Sequence, residues 1–141
     1  MDLLFIADPL ESFKIKKDST LAMMRVAQEA GHRLWFCQSR NVLWKDNSVV
    51  ADCQSLLIKP ASTSWYELGK LESRSLNTFS AVLMRTDPPF DIEYLNTTWL
   101  LSAAARQGAK VFNNPSAVRD HSEKISITEF PELRSEEHTS E

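Results

Sequence analysis

A strand–helix–strand signal at the amino end restricts this chain more than any other feature. Leu3-Leu4-Phe5-Ile6-Ala7 is a short apolar run closed by Asp8-Pro9, which predicts a buried strand running into a turn. A basic connector, Lys14 to Lys17, follows. Asp18 or Ser19 then offers an oxygen to the free amides of a helix start. Leu21, Met24, Ala27 and Ala30 recur at helical spacing, and Gly31 supplies the left-handed residue that ends a helix. Arg33 to Cys37 is a second apolar-rich strand. Connections of these lengths fit a parallel βαβ unit, which in turn requires a sheet covered by helices.

The rest of the chain alternates less regularly. Val42-Leu43-Trp44 and Val49-Val50-Ala51 flank the polar turn Lys45 to Ser48, so a β-hairpin is expected to interrupt the α/β order. Gln54 to Lys59 reads as one more strand, stopped by Pro60. In the polar stretch from Ala61 to Ser80, the spacing of Trp65, Leu68 and Leu71 suggests a short helix. Ala81 to Met84 is another buried strand. Ile92, Leu95, Trp99, Leu100 and Ala103 predict an amphipathic helix from Ile92 to Gln107, ended by Gly108. Lys110 to Phe112 is a strand, and Asn113 to Ser116 turns into a helix with proline in its first turn. The expected fold is therefore α/β: a mostly parallel sheet flanked by helices, with an inserted hairpin.

Bulk properties remove several function classes. A chain of 141 residues suffices for one domain with a real core. Its net charge of −3 includes no basic block, which argues against a nucleic-acid partner. No apolar run approaches the roughly 20 residues of a membrane span, and Met1 to Pro9 reads as a first strand instead of a signal peptide. Cys37 and Cys53 lie in strand-like segments without CxxC spacing. They read as buried reduced thiols of a cytoplasmic protein, ahead of a disulfide or metal role. His32, His121 and His138 are too scattered to suggest zinc.

Three clusters carry possible chemistry. In Met84-Arg85-Thr86-Asp87-Pro88-Pro89-Phe90-Asp91, an arginine follows a strand and precedes a stiffened corner. Ligands of open α/β sheets bind beyond the carboxyl ends of strands, and a guanidinium can grip a carboxylate or phosphate by two parallel hydrogen bonds. Asp87 could position Arg85 or receive a substrate amine; an internal Arg85–Asp87 ion pair in a rigid turn is the competing reading. Ile15-Lys16-Lys17-Asp18-Ser19 stands before the first helix, where free amides attract anions. On chemistry alone, a solvated basic loop with an ordinary cap is the simpler reading. Asn113-Asn114-Pro115, Arg119-Asp120 and Glu123-Lys124 form the third cluster, which composition alone would assign to a capped surface helix with charge pairs.

Taken in order, these three clusters, together with Ala22-Met23, Leu3 to Pro9 and the helix from Ile92 to Leu101, resemble the N-terminal region of bacterial-type glutathione synthetases from Met1 to about Leu133. The resemblance implies a pre-ATP-grasp domain over residues 1–121 and the start of an ATP-grasp region over 122–133. It implies an ATP- and Mg2+-dependent ligase that joins γ-glutamylcysteine to glycine through an acyl phosphate, works in the cytoplasm and assembles as a homo-oligomer. Carried over by position, Arg85 and Asp87 lie by the substrate cleft, Asp18 and Ser19 near the same cleft, and Lys124 contacts ATP. Thr86 departs from the pattern, since lysine is common there. No glycine-rich lid or magnesium-binding set follows Lys124, and three glycines cannot supply a Gly-rich ATP loop.

Residues 134–141, RSEEHTSE, are polar and aperiodic, and resemble the in-frame translation of a sequencing-library adapter; a frayed terminus is the plainer alternative. The expectation is the front part of a longer ligase, inactive alone. Two rivals remain at this level: a non-catalytic α/β binding or assembly module, and the front domain of another ATP-grasp peptide ligase.

Overall fold

The computed structural model describes residues 1–14, 18–60, 64–86 and 92–112. Its framework is a seven-stranded sheet between two helices. Strand β1 (Asp2–Ile6) lies at the centre, parallel to β2 (Arg33–Cys37) on one side and β6 (Ala81–Met84) on the other. Helix α1 (Ser19–Glu29) links β1 to β2, and α2 (Ile92–Arg106) precedes β7 (Val111–Phe112), which pairs parallel with β6. The two βαβ-type steps move away from β1 in opposite directions, and their helices cover opposite faces. Leu3, Phe5, Leu34, Phe36 and Leu83 pack with Leu21, Met24 and Ala27 of α1. Leu4, Ile6, Trp35, Val82 and Met84 pack with Leu101 and Ala104 of α2. The alternation along β1 thus feeds both cores, which is why its apolar run is continuous.

Both helices end as their glycines predict. Gly31 has φ +94°; its N–H donates to the Gln28 carbonyl and the His32 N–H to that of Ala27. Gly108, at φ +100°, repeats the pattern with Ala105 and Ala104. These are Schellman closures, in which the left-handed residue turns the chain so that the last helix carbonyls are satisfied. Two glutamines then fasten the helices to the sheet. Gln28 donates to the Ile58 carbonyl (2.9 Å) and accepts from its N–H (2.8 Å). Gln107 donates to the Asn47 carbonyl (2.9 Å) and accepts from Val49 N–H (3.3 Å).

The middle of the chain differs from expectation in three respects. The hairpin is present, β3 (Val42–Lys45) and β4 (Ser48–Ile58), with Asp46 and Asn47 both at positive φ as a tight two-residue turn demands. However, Gln54 to Lys59 is not a separate strand; residues to Ile58 continue β4. Its buried residues change face partway, Val49, Ala51 and Cys53 toward α2 and then Leu56 and Ile58 toward α1. That change breaks the period-2 pattern and imitates a boundary. Nor do the described residues around Trp65, Leu68 and Leu71 form the short helix their spacing suggests; the one helical turn of 64–80 is a 3-10 turn at Leu76–Thr78. Tyr66–Ser75 is strand β5, paired antiparallel with β4, and Leu71 is 68% exposed. Glu67, Lys70 and Glu72 on this outer strand are exposed and polar, as suits an edge that must resist pairing with other chains, and they mask its strand character. Finally, the sheet is mixed, with three parallel and three antiparallel ladders, so a mostly parallel sheet fits loosely.

Cys37 and Cys53 are free and buried. Burial pushes both thiols up, Cys53 to about 11, which keeps them protonated.

A polar clasp closes the amino end of the sheet. Asp2 accepts from Arg33 Nε and Arg74 Nη1, both at 2.9 Å. The Arg74 guanidinium lies over the rings of Trp35 (4.8 Å) and Phe79 (4.2 Å) and donates to the Thr78 carbonyl. Burial alone would raise the Asp2 carboxyl, but the hydrogen bonds and charges of Arg74 and Arg33 outweigh it and hold the group below its ordinary 3.8. A depressed folded-state value contributes stability above the unfolded-state value, and that contribution is lost as the pH falls through the folded one. Asp2→Asn is therefore expected to cost about 1 to 2 kcal/mol at pH 7. It should also flatten the acid limb of a stability–pH curve below about pH 4, measured by urea unfolding.

Candidate functional site

Because β1 leads to its neighbour β2 and β6 leads the other way to β7, the order of the sheet reverses between β1 and β6. A crevice opens beyond the carboxyl ends of such a pair, where no crossover covers it. Asp8 follows β1 by two residues and Arg85 follows β6 directly, its N–H donating to the Ile6 carbonyl at 2.7 Å. The first turn of α1 forms the third wall. A cleft of about 220 Å³ lies between them, lined by Asp8, Ser12, Phe13, Asp18, Ser19, Thr20 and Arg85.

Arg85 spans the gap between sheet and helix. Its Nη2 donates to Ser19 Oγ at 2.8 Å and its Nε to Thr20 Oγ1 at 3.0 Å. Both acceptors are neutral hydroxyls, so these contacts fix the plane of the guanidinium without neutralising it. Asp18 is the helix cap. Its Oδ1 accepts from Thr20 N–H (2.9 Å) and Leu21 N–H (3.2 Å), and its own carbonyl accepts from Ala22 N–H. Of the two residues that could have capped α1, Asp18 does so. Its carboxylate occupies amides that an external anion would otherwise use. On the outer wall, Phe13 stacks on Trp65 with centroids 5.5 Å apart, and Trp65 meets Tyr66 edge-on at 4.8 Å.

The structure thus brings Arg85, Asp18 and Ser19 together, although 65 and more positions of sequence separate the arginine from its partners. Asp87 and Lys124 lie outside the described residues, as do Lys16, Lys17, the boundary between 121 and 122, and the terminal RSEEHTSE stretch. Thr86 Oγ1 is 3.0 Å from Ser39 Oγ, at the corner after β2, so it joins two strand ends. Sequence reasoning passed over Asp8, Ser12, Phe13 and Thr20. Asp8 could have been found from the rule that singled out Arg85, since it too follows an apolar strand. Thr20 sits one position past the cluster. Among the described residues no group of three His, Cys, Asp or Glu could hold a metal ion, and no helix is long and apolar enough to cross a membrane.

Fold and cleft define an α/β domain with a polar crevice at its topological switch point. Residues 1–119 match the family described as "Prokaryotic glutathione synthetase, N-terminal domain", and the chain belongs to that family. It is similar to proteins named glutathione synthetase from Nitrosomonas europaea, 51% identical over 134 residues, covering 93% of this chain and 42% of the relative. The relative from Ralstonia nicotianae is 49% identical, covering 94% and 41%, and that from Neisseria meningitidis serogroup A is 45% identical, covering 92% and 42%. The chain therefore spans about two fifths of the length of these curated relatives.

Asp18 and Ser19 should separate in a stability measurement. Asp18→Ala removes the cap and is expected to cost about 1 kcal/mol in urea unfolding. Ser19→Ala, whose hydroxyl serves only Arg85 among the described contacts, should change stability by less than about 0.5 kcal/mol.

Proposed function

We propose that this chain is the front domain of an ATP-dependent ligase, a glutathione synthetase that joins γ-glutamylcysteine to glycine, and that its crevice holds part of the dipeptide. The observation that carries this reading is the placement of Arg85 at the switch point, oriented by Ser19 and Thr20. Family membership supports the reaction class. The chemistry of the lining supports an amino-acid-like ligand. A guanidinium can take a carboxylate, and Asp8 and Asp18 make the rest of the lining acidic. A volume of about 220 Å³ suits a group of amino-acid size. Asp87 is proposed to complete the cleft and Lys124 to contact ATP.

The chain's own part in the reaction is binding and orientation. Holding the dipeptide in one pose converts an encounter into an intramolecular step, a contribution that depends on rigid partners more than on reactive ones. ATP would supply phosphate activation of the dipeptide carboxylate, with Mg2+ as its counter-charge. The described residues do not fit these groups: they contain no metal cluster, and no step of this chain is assigned to them. Ligand binding by the remaining part of such a ligase is where that chemistry would reside, and the chain alone is expected to make no glutathione.

A chimera tests the reading. The N-terminal 42% of the Nitrosomonas europaea relative would be replaced by this chain, and glutathione and ADP followed with γ-glutamylcysteine, glycine and ATP. Activity dependent on all three is expected, with Arg85→Ala raising the KM for the dipeptide by about tenfold or more. A folded chimera that makes no glutathione, or an Arg85→Ala form with unchanged KM, contradicts the proposal.

A further inference from the structure

Cys37 and Cys53 are the two cysteines of the chain, and the sheet sets them face to face. Strands β2 and β4 run antiparallel, with Leu34 opposite Leu56, Trp35 opposite Ser55 and Phe36 opposite Gln54. One more step in the same register puts Cys37 opposite Cys53. The backbone of β2 decides how closely they approach. Arg33 N–H donates to the Met1 carbonyl, and the Cys37 carbonyl accepts from Ala7 N–H at 3.1 Å. Arg33, Trp35 and Cys37 therefore turn their backbone groups toward β1, and Cys37 exchanges no backbone hydrogen bond with β4. In an antiparallel ladder a pair of this kind is the close one, with Cα atoms about 4.5 Å apart and side chains nearest. That separation falls within the roughly 4.4 to 6.8 Å that a disulfide spans. Both side chains enter the same core, beneath α2, and the nearness of Cys53 is felt at the Cys37 thiol.

We infer that Cys37 and Cys53 form a reversible cross-strand disulfide, closed by hydrogen peroxide and reopened by a dithiol. Peroxide is a two-electron oxidant close to water in size, which suits thiols only 2% and 0% exposed. Cys53 is the first to react. Burial pushes its thiol up to about 11 and the Arg74 charge acts against that rise, whereas burial, Cys53 and Asp52 all push Cys37 up. The Cys53 thiolate attacks one peroxide oxygen and the O–O bond breaks. A sulfenic acid forms, and the departing hydroxide takes the Cys53 proton to become water. The Cys37 sulfur then attacks the sulfenic sulfur and the S–O bond breaks. The hydroxide released takes the Cys37 proton as a second water. Two thiols and one peroxide thus give one disulfide and two waters, the sulfurs losing the two electrons that the peroxide gains. Raised thiols make the closure slow, so the pair responds to sustained peroxide. The bond ties β4, in the inserted hairpin, to β2, in the parallel part of the sheet. None of this depends on the ligase reading, because neither cysteine lines the cleft.

Peroxide treatment of the full 141-residue chain in native buffer, followed by alkylation and peptide mapping, tests the inference. A linked peptide pair containing Cys37 and Cys53 is expected in the monomer, with both free thiols lost and both recovered in dithiothreitol. The oxidised chain should unfold at a temperature about 5 °C or more above the reduced one, because the link restricts the unfolded chain. Cys37→Ser should stop at a sulfenic acid on Cys53, trapped by dimedone. Thiols that stay free, or that pass to sulfinic acid without linking, overturn the inference. So do disulfides between chains, a link that forms only in urea, or an oxidised chain that melts lower than the reduced one.

Discussion

The double parallel pairing of β1 is the constraint on which the rest depends. Leu3, Leu4, Phe5 and Ile6 are each 1% exposed or less. A strand so placed needs a hydrogen-bonded neighbour on either edge and apolar cover on either face. It receives β2 and β6 as neighbours, and α1 and α2 as cover. The crevice follows from this arrangement without any residue being chosen to make it. Chain crossovers leave β1 in one direction and β6 in the other, so neither crossover helix bridges the space beyond their carboxyl ends. The two ends of the sheet then have different tasks. At the amino end, Asp2, Arg33 and Arg74 satisfy one another and close the structure. At the carboxyl end, Arg85 donates to the hydroxyls of Ser19 and Thr20 and so ties the end of β6 to the start of α1.

Much of this was legible in the sequence where local signals agreed. The apolar runs at Leu3–Ala7 and Ala81–Met84, the glycine stops at Gly31 and Gly108, and the polar turn at Asp46-Asn47 each combine a pattern with a specific backbone requirement. Where local and tertiary demands diverged, reading failed. Strand β4 serves two cores in succession, so its buried residues switch parity and its length was hidden. Strand β5 is an edge, and its charges follow from that position, which no local rule supplies. In α2 the predicted face was right at Leu100 and Ala103, which pack against the core, and wrong at Ile92, Leu95 and Trp99, which are exposed, because Thr97 and Ala104 contribute little hydrophobicity yet are buried against the sheet.

The site shows the same division. Strand ends announce where a ligand can lie, so Arg85 was visible from chain order and side-chain chemistry. Its partners Ser19 and Thr20 could not be paired with it by spacing, because only the parallel register of β1 and β6 brings them near. Asp18 was visible as a cap and acts as one; its carboxylate shapes the helix entrance and lends charge to the cleft at the same time. Belonging to the prokaryotic glutathione synthetase N-terminal family gives this geometry a chemical context.

The central claim is that the crevice between β1, β6 and the start of α1 receives the dipeptide. Titration of γ-glutamylcysteine into the isotopically labelled chain, followed by backbone and arginine-side-chain NMR, tests it most directly. The account predicts saturable shifts centred on Asp8, Ser19, Thr20 and the Nε–H of Arg85, with the amino-end clasp at Asp2 unaffected. Shifts confined to other regions, or no saturable change at millimolar ligand (about the weakest affinity such a half-site could usefully have), would contradict it.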